Sequence, residues 1–305
     1  MKMTNRRTSS NVNDQRRIST TTKAAGGVGG LGIVAVLIYF FVSGGNVDPA
    51  MVSKLSGGGT TQTTTTTTTS TNEKNPEFYK NSKDFANEDE LFTFTSQVLA
   101  STEDVWTTIF KKAGKTYKAP KMTVFSDQTT SGCGNATASS GPFYCPVDQT
   151  VYLDLAFLTT MKRTLGADGD FAFAYVIAHE VGHHIQYLLG DLAKYQTKEQ
   201  TLKKQGKTAE SNLVSVQIEL QADCYAGVWG NVENSTFKSL ESTDFMEAFK
   251  AANSVGDDTL GNTRRDTFSH GSAKMRQKWF KQGFASGNTA DCETYVYNSL
   301  NTLEN

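Results

Sequence analysis

The sequence predicts an α+β domain dominated by helices, preceded by a segment that belongs to no globular core. Three observations carry this. Apolar residues recur at threes and fours over several long segments from Glu88 onward. Short runs with the composition of strands, bounded by Gly, Pro and Ser, are confined to residues 121–153. Residues 1–76 are poor in core-forming side chains, so the 305-residue chain reads as one globular unit over residues 77–305.

Residues 1–23 form a basic tail, with Lys2, Arg6, Arg7, Arg16, Arg17 and Lys23 against Asp14 alone. Residues 24–43 are uncharged and centre on Leu31 to Val42, which is the length of a bilayer crossing. By the positive-inside rule the tail is expected to be cytoplasmic and the remainder to lie on the extracellular or periplasmic side. A signal peptide cleaved after the small residues Ser43 and Gly45 is the competing reading. The long basic stretch ahead of the apolar run favours an uncleaved signal-anchor, hence a single-pass membrane protein. Residues 44–76 carry three consecutive glycines and a Thr-rich tract, the composition of a flexible stalk.

Apolar residues return from Phe78 and Tyr79. Glu88 to Lys112 suits one long or two short helices, with Phe94, Val98, Leu99, Val105, Trp106, Ile109 and Phe110 at helical spacing. Strands are predicted at Lys121 to Phe125, Phe143 to Cys145 and Thr150 to Leu153, with a turn-rich loop from Ser131 to Pro142. Helices follow at the segment ending before Gly190-Asp191, then at Ser211 to Asn231, Ser239 to Ala252 and Ser272 to Phe284. The polar stretch around Lys203, Lys204 and Lys207 reads as an exposed connection. Net charge is −1 and no basic stripe follows the motif region, so nothing there suggests a nucleic-acid partner.

The chemistry concentrates in His179-Glu180-Val181-Gly182-His183. Residues four apart on a helix differ by about 40° in azimuth, so His179 and His183 share a face and can hold one zinc ion. Glu180 stands about 100° from His179, within reach of a water on that metal, as a general base requires. Phe173, Val176, Ile177, Val181, Ile185, Leu188 and Leu189 make the helix apolar and therefore rigidly packed, as ligands require. His184 lies about 140° from His179 and reads as structural.

Catalytic zinc sites take three protein ligands and leave one position open. Gln186 and Leu189 follow His183 at the third and sixth positions, so no further histidine comes from this stretch. The best source is Glu219, on the next apolar-periodic helix. Asp223 shares its face at i, i+4 and is placed to accept the outer N–H of a zinc histidine. Small Ala222 permits a close approach of the two helices. His270 is the one histidine outside the motif helix, and three roles stay open for it: donor to a transition-state oxyanion, substitute ligand, or structural residue. Cys133, Cys145, Cys224 and Cys292 admit three disulfide connectivities, which spacing alone does not resolve.

These residues, with Ser131-Gly132-Cys133-Gly134, Gly141-Pro142-Phe143-Tyr144-Cys145-Pro146, Val151-Tyr152-Leu153-Asp154, Glu219-Leu220-Gln221-Ala222-Asp223-Cys224, Ser269-His270-Gly271 and Trp279-Phe280, resemble the putative neutral zinc metallopeptidase family over roughly residues 80–295. The resemblance implies a zincin-like fold, a signal-anchor, one zinc ion, a peptide or protein substrate, and the pairings Cys133–Cys145 and Cys224–Cys292. It brings no defined substrate. Two other functional classes stand beside the hydrolase: an extracellular module in which zinc merely joins two helices, and a tethered scaffold displayed on the Thr-rich stalk. An intact Glu180 and a three-ligand count favour the hydrolase over the first.

Overall fold

The computed structural model describes residues 1–3, 5–17, 79, 82, 84–165 and 169–305, the side chains of 162–165 excepted. Strand β1 (Val12–Gln15) comes first, followed by helix α1 (Glu88–Lys112) and strands β2 (Lys121–Phe125), β3 (Gln128–Ser131), β4 (Gly134–Thr137), β5 (Phe143–Cys145) and β6 (Thr150–Asp154). The rest is helical: α2 (Leu155–Leu165), α3 (Asp170–Leu189), α4 (Asp191–Lys204), α5 (Thr208–Phe237), α6 (Asp244–Ser254), α7 (Ala273–Ser286) and α8 (Leu300–Glu304). Helices dominate and the β region is small.

Helix α1 is one helix rather than two. The Asn87 side chain accepts from the Glu90 backbone N–H at 2.9 Å, and Glu90 reaches back to the Ala86 N–H at 2.8 Å, satisfying donors at the helix start. Glu88 and Asp89 at its start and Lys111 and Lys112 at its end complement the helix dipole. Strands β1, β2, β6 and β5 form a four-stranded sheet in that order, with β5 antiparallel to β6 and the others parallel. The loop expected between Ser131 and Pro142 contains part of a small hairpin, β3 paired with β4.

Helix α3 is the axis of the core. Phe171 to Gly182 are buried without interruption, and Gly190, at φ 85°, closes the helix in the left-handed conformation that glycine adopts freely. Helix α5 packs on α3 through small residues: a Cβ at Gly182 would stand 2.9 Å from the Ala222 carbonyl oxygen. On another side α5 meets α7 more closely still. A Cβ at Gly283 would lie 2.0 Å from the Cys224 carbonyl oxygen, and one at Gly227 would lie 2.2 Å from that of Phe280. Glycines thus bring three helix backbones together, and the side chains that α3, α5 and α7 project into the shared space can meet.

Two sequence expectations are corrected. Residues 5–17, read as part of a free basic tail over 1–23, instead lie on the domain. Parallel pairing of Val12 with Met122 through Gln15 with Phe125 adds β1 to the sheet. The tail's charges have partners in the domain: Arg6 with the fully buried Glu233 at 3.2 Å, Arg7 with Glu103 and Asp104, and Arg16 with Glu88 and Asp89. Met1 and Met3 are buried in the same core as α1 and α3.

The expected transmembrane helix before the domain is corrected on the same ground. Among the described residues no helix is long and apolar enough to cross a membrane. Residues on either side of the apolar run pack in one domain, whereas a single crossing would place them on opposite faces of a bilayer. The apolar run itself (24–43) and the expected stalk (44–76) lie outside the described residues. The stretch read as an exposed connection around Lys203 and Lys204 is the end of α4, and Leu155–Leu165 and Asp191–Lys204 are helices that periodicity had not singled out.

Replacing Gly283 with Ala is expected to destabilise the domain by about 2–3 kcal/mol or more, because its methyl group would meet the α5 backbone rather than a movable side chain. Denaturant unfolding checks this, and an unchanged midpoint would refute the close α5–α7 contact.

Candidate metal centre

The helical repeat puts His179 and His183 on one face of α3, and α5 crosses opposite them with Glu219 aimed between the two rings. His179 Nε2 is 3.2 Å from one Glu219 carboxylate oxygen, and His183 Nε2 is 3.6 Å from the other. Three donor atoms, one from each residue, all lie within 4.8 Å of one another. Zinc bonds of about 2.0–2.1 Å in a tetrahedral site set donor atoms roughly 3.3 Å apart, so both spacings fit one small cation. Two imidazole nitrogens and a carboxylate oxygen are also the donor types that zinc takes.

Each histidine is turned by a partner on its other nitrogen. His179 Nδ1 is 2.8 Å from Asp223 Oδ1, and His183 Nδ1 is 2.9 Å from Gln186 Oε1. Both Nε2 atoms therefore face Glu219. Burial alone would lower the His179 pKa, but the charge and hydrogen bond of Asp223, together with Glu219, push it up to about 10. Burial alone would raise the Glu219 carboxyl, yet His183, His179 and His270 hold it well below the usual carboxylate range. The centre is thus arranged to stabilise positive charge between the two helices.

Asp223 sits at the meeting point of three helices and is fully buried. From α3 it accepts the Tyr175 hydroxyl at 2.5 Å. From α7 the Arg276 guanidinium grips it with two N–H groups, each at 2.8 Å. Burial would raise the Asp223 carboxyl, but Arg276 and His179 outweigh it and hold the group below its ordinary value. Asp223 consequently faces His179 as a permanent carboxylate.

Glu180, one residue along from His179, is 8% exposed. Burial, opposed by the two neighbouring histidines, raises its carboxyl above the ordinary value, the direction expected of a group that must take up a proton. His270 approaches from the Glu219 side. Its loop is built by Asp257, whose Oδ2 accepts the backbone N–H groups of Ser269, His270 and Gly271 at 2.9, 2.8 and 2.8 Å. Ser269 Oγ lies 2.9 Å from His270 Nδ1, with Asp257 Oδ1 3.5 Å away. His184 faces away from the metal site, between the Tyr144 hydroxyl at 2.9 Å and the Lys118 carbonyl at 2.7 Å.

The structure brings together His179, Glu180, His183, Glu219, Asp223 and His270. It joins Cys133 to Cys145 beside the β3–β4 hairpin and Cys224 to Cys292 beside Asp223. Sequence reasoning missed three supporting residues. Tyr175 and Gln186 stand four before His179 and three after His183, so helical spacing could have revealed both. Arg276 carried a weaker signal, a charge among the apolar positions Met275, Trp279 and Phe280.

Replacing Arg276 with Met is expected to cost about 3–5 kcal/mol, because Asp223 would keep its burial and lose its counter-charge. The same variant should bind zinc roughly 10–100-fold more weakly through the loosened His179. Unfolding curves and competition with a chromophoric chelator measure the two effects.

The family described as putative neutral zinc metallopeptidase matches residues 1–295. The Escherichia coli K12 protein YpfJ, described as uncharacterized, is 50% identical over 214 residues, 68% of this chain and 73% of its own. Mycobacterium bovis Mb2605 and Mycobacterium tuberculosis Rv2575, likewise uncharacterized, are each 41% identical over 194 residues, 59% of this chain and 63% of their own. No solved structure matches the chain. The chain belongs to the putative neutral zinc metallopeptidase family.

Proposed function

From that membership and the geometry of the site, we propose that this protein hydrolyses peptide bonds, with His179, His183 and Glu219 holding one zinc ion and Glu180 as general base. The observation that carries the reading is the meeting of three zinc-type donors within 4.8 Å of one another, Glu219 standing 3.2 and 3.6 Å from the two histidines, with a buried, proton-accepting carboxylate one residue from the first histidine. A site that merely stapled two helices together would have no use for Glu180.

When bound, zinc supplies Lewis acidity, which brings water toward ionisation at neutral pH and polarises a carbonyl. Glu180 takes one proton from the attacking water as oxygen bonds to the scissile carbon. It then delivers that proton to the departing amine nitrogen as the carbon–nitrogen bond breaks, so the carboxylate is regenerated. Asp223, kept anionic by Arg276, orients the His179 ring and balances the charge it acquires as a ligand. His270, held by the Asp257 loop, donates to the carbonyl oxygen as that oxygen becomes negative. The substrate is a peptide or protein. The two disulfides support a site of action in an oxidising compartment outside the cytoplasm.

Glu180→Gln should keep one zinc per chain and lose peptide cleavage by a factor of about 10²–10⁴. Undiminished cleavage of a peptide library by that variant would overturn the assignment. His270→Ala should lower kcat by about 10²–10³ and leave KM nearly unchanged. A fall confined to KM would instead make His270 a substrate-binding residue.

A further inference from the structure

A continuous run of hydrogen bonds leads from His183 away from the metal site. Gln186 Oε1 faces His183 Nδ1, and Gln186 Nε2 donates to the Ile218 carbonyl at 2.7 Å and to Gln221 Oε1 at 3.0 Å. Gln221 Nε2 then donates to the Cys292 carbonyl at 3.2 Å. Both glutamine side chains are fully buried. Cys292 is bonded to Cys224, the residue after Asp223.

The segment carrying Cys292 is a strap laid over α5, made of two short 3-10 turns, Thr289–Cys292 and Thr294–Val296. Thr294 Oγ1 donates to the Gln217 carbonyl at 2.7 Å, and Gln217 Nε2 donates to the Tyr297 carbonyl at 2.6 Å.

The direction of every bond in this run follows from its far end. A backbone carbonyl only accepts, so Gln221 must turn its NH2 toward Cys292 and its oxygen toward Gln186. Gln186 then meets two acceptors, Gln221 Oε1 and the Ile218 carbonyl, and must spend its NH2 on them. Its oxygen is left for His183. An oxygen acceptor there requires the proton on His183 Nδ1, which leaves the Nε2 lone pair directed at Glu219 and available to a metal. His179 obtains the same tautomer from a charged carboxylate. His183 obtains it from neutral amides whose orientation is imposed by main-chain carbonyls, one of them on the strap.

We propose that Gln186 and Gln221 are positioning residues that couple His183 to the C-terminal strap, so that zinc retention depends on the Cys224–Cys292 disulfide. The inference rests on the reading of His179, His183 and Glu219 as zinc ligands. The disulfide holds the Cys292 carbonyl against α5. Without it the strap can withdraw with the Tyr295 hydroxyl that stands 3.5 Å from Gln186 Nε2, Gln221 is released to flip, and Gln186 then keeps the Ile218 carbonyl to fix its orientation. Loss of the disulfide therefore weakens the tautomer preference without abolishing it.

The test uses the full chain carrying C133A/C145A, so that one disulfide remains, with zinc dissociation constants read by competition with a chromophoric chelator. A water-soluble phosphine reduces that bond: phosphorus gives up two electrons and takes the oxygen of water, the S–S bond breaks, and the protons of that water end on the sulfurs of Cys224 and Cys292. Gln186→Met should weaken zinc binding about 10–100-fold. Gln221→Met, phosphine reduction and C224A/C292A should each weaken it by up to about tenfold. Gln221→Met combined with reduction should weaken it no more than either alone, because both cut one chain of contacts.

The visible bands of the cobalt-loaded protein should shift in the same variants, whereas a merely structural role would move only the unfolding midpoint of the metal-free protein. Should C224A/C292A fail to fold, phosphine treatment of the folded protein reads the same dependence. Full affinity in Gln186→Met, full affinity after reduction of the Cys224–Cys292 bond, or independent additive losses for Gln221→Met and reduction, would overturn the coupling while leaving the zinc site intact. Absence of zinc binding by the unsubstituted chain would overturn the metal site and the coupling together.

Discussion

The buried pair of Asp223 and Arg276 is the constraint on which the centre of this molecule depends. Two opposite charges taken out of water are tolerated only when their hydrogen-bonding capacity is filled, and here it is. Asp223 receives Arg276 twice, Tyr175 once and His179 once. Each partner comes from a different turn or helix, so the carboxylate fixes α3, α5 and α7 relative to one another. The glycines at the α5–α7 contact and the Gly182–Ala222 contact allow that arrangement, because any larger residue would hold the helices apart.

The same pair sets the electrostatics of the site. A carboxylate neutralised by protonation would be a poor partner for a metal-bound imidazole, and Arg276 keeps Asp223 ionised despite complete burial. Glu219 is kept ionised by facing imidazoles, whereas Glu180, one residue from His179, is left with burial as its dominant influence and shifts upward. Two carboxylates in one pocket are thereby driven apart, one toward ligation and one toward proton transfer. This division of roles follows from neighbours rather than from residue type.

The amino-terminal segment shows how far tertiary context can override composition. Six basic residues against one acid within residues 1–23 read as a solvated tail beside a membrane, because sequence shows only local charge. Folding supplies the missing acids from α1 and α5: Glu88, Asp89, Glu103, Asp104 and Glu233. Strand β1 has a single strongly apolar residue, Val12, and its ladder partner lies more than a hundred residues away in sequence, which periodicity cannot register. Helices α2 and α4 were overlooked for the opposite reason. One follows a strand with no break, so no start signal sets it apart, and the other is largely polar, with Leu192 its one buried residue and therefore no marked apolar stripe.

By itself the sequence determined what is local: the extent of α1, the strands β2 and β5, the Gly190 stop, and the shared face of His179 and His183. All of these depend on spacing within one element and on helical or extended periodicity. Glu219 and Asp223 were legible as a pair on one face for the same reason, though their distance from the histidines was not. Only the tertiary structure decided that distance, the insertion of Arg276 between two helices, the approach of His270 on its Asp257-bound loop, and the run of amides from His183 to Cys292. Those features depend on where separate elements cross. The crossing is set by glycine contacts, buried charges and disulfides whose partners lie tens of residues apart in sequence, beyond the reach of any local pattern.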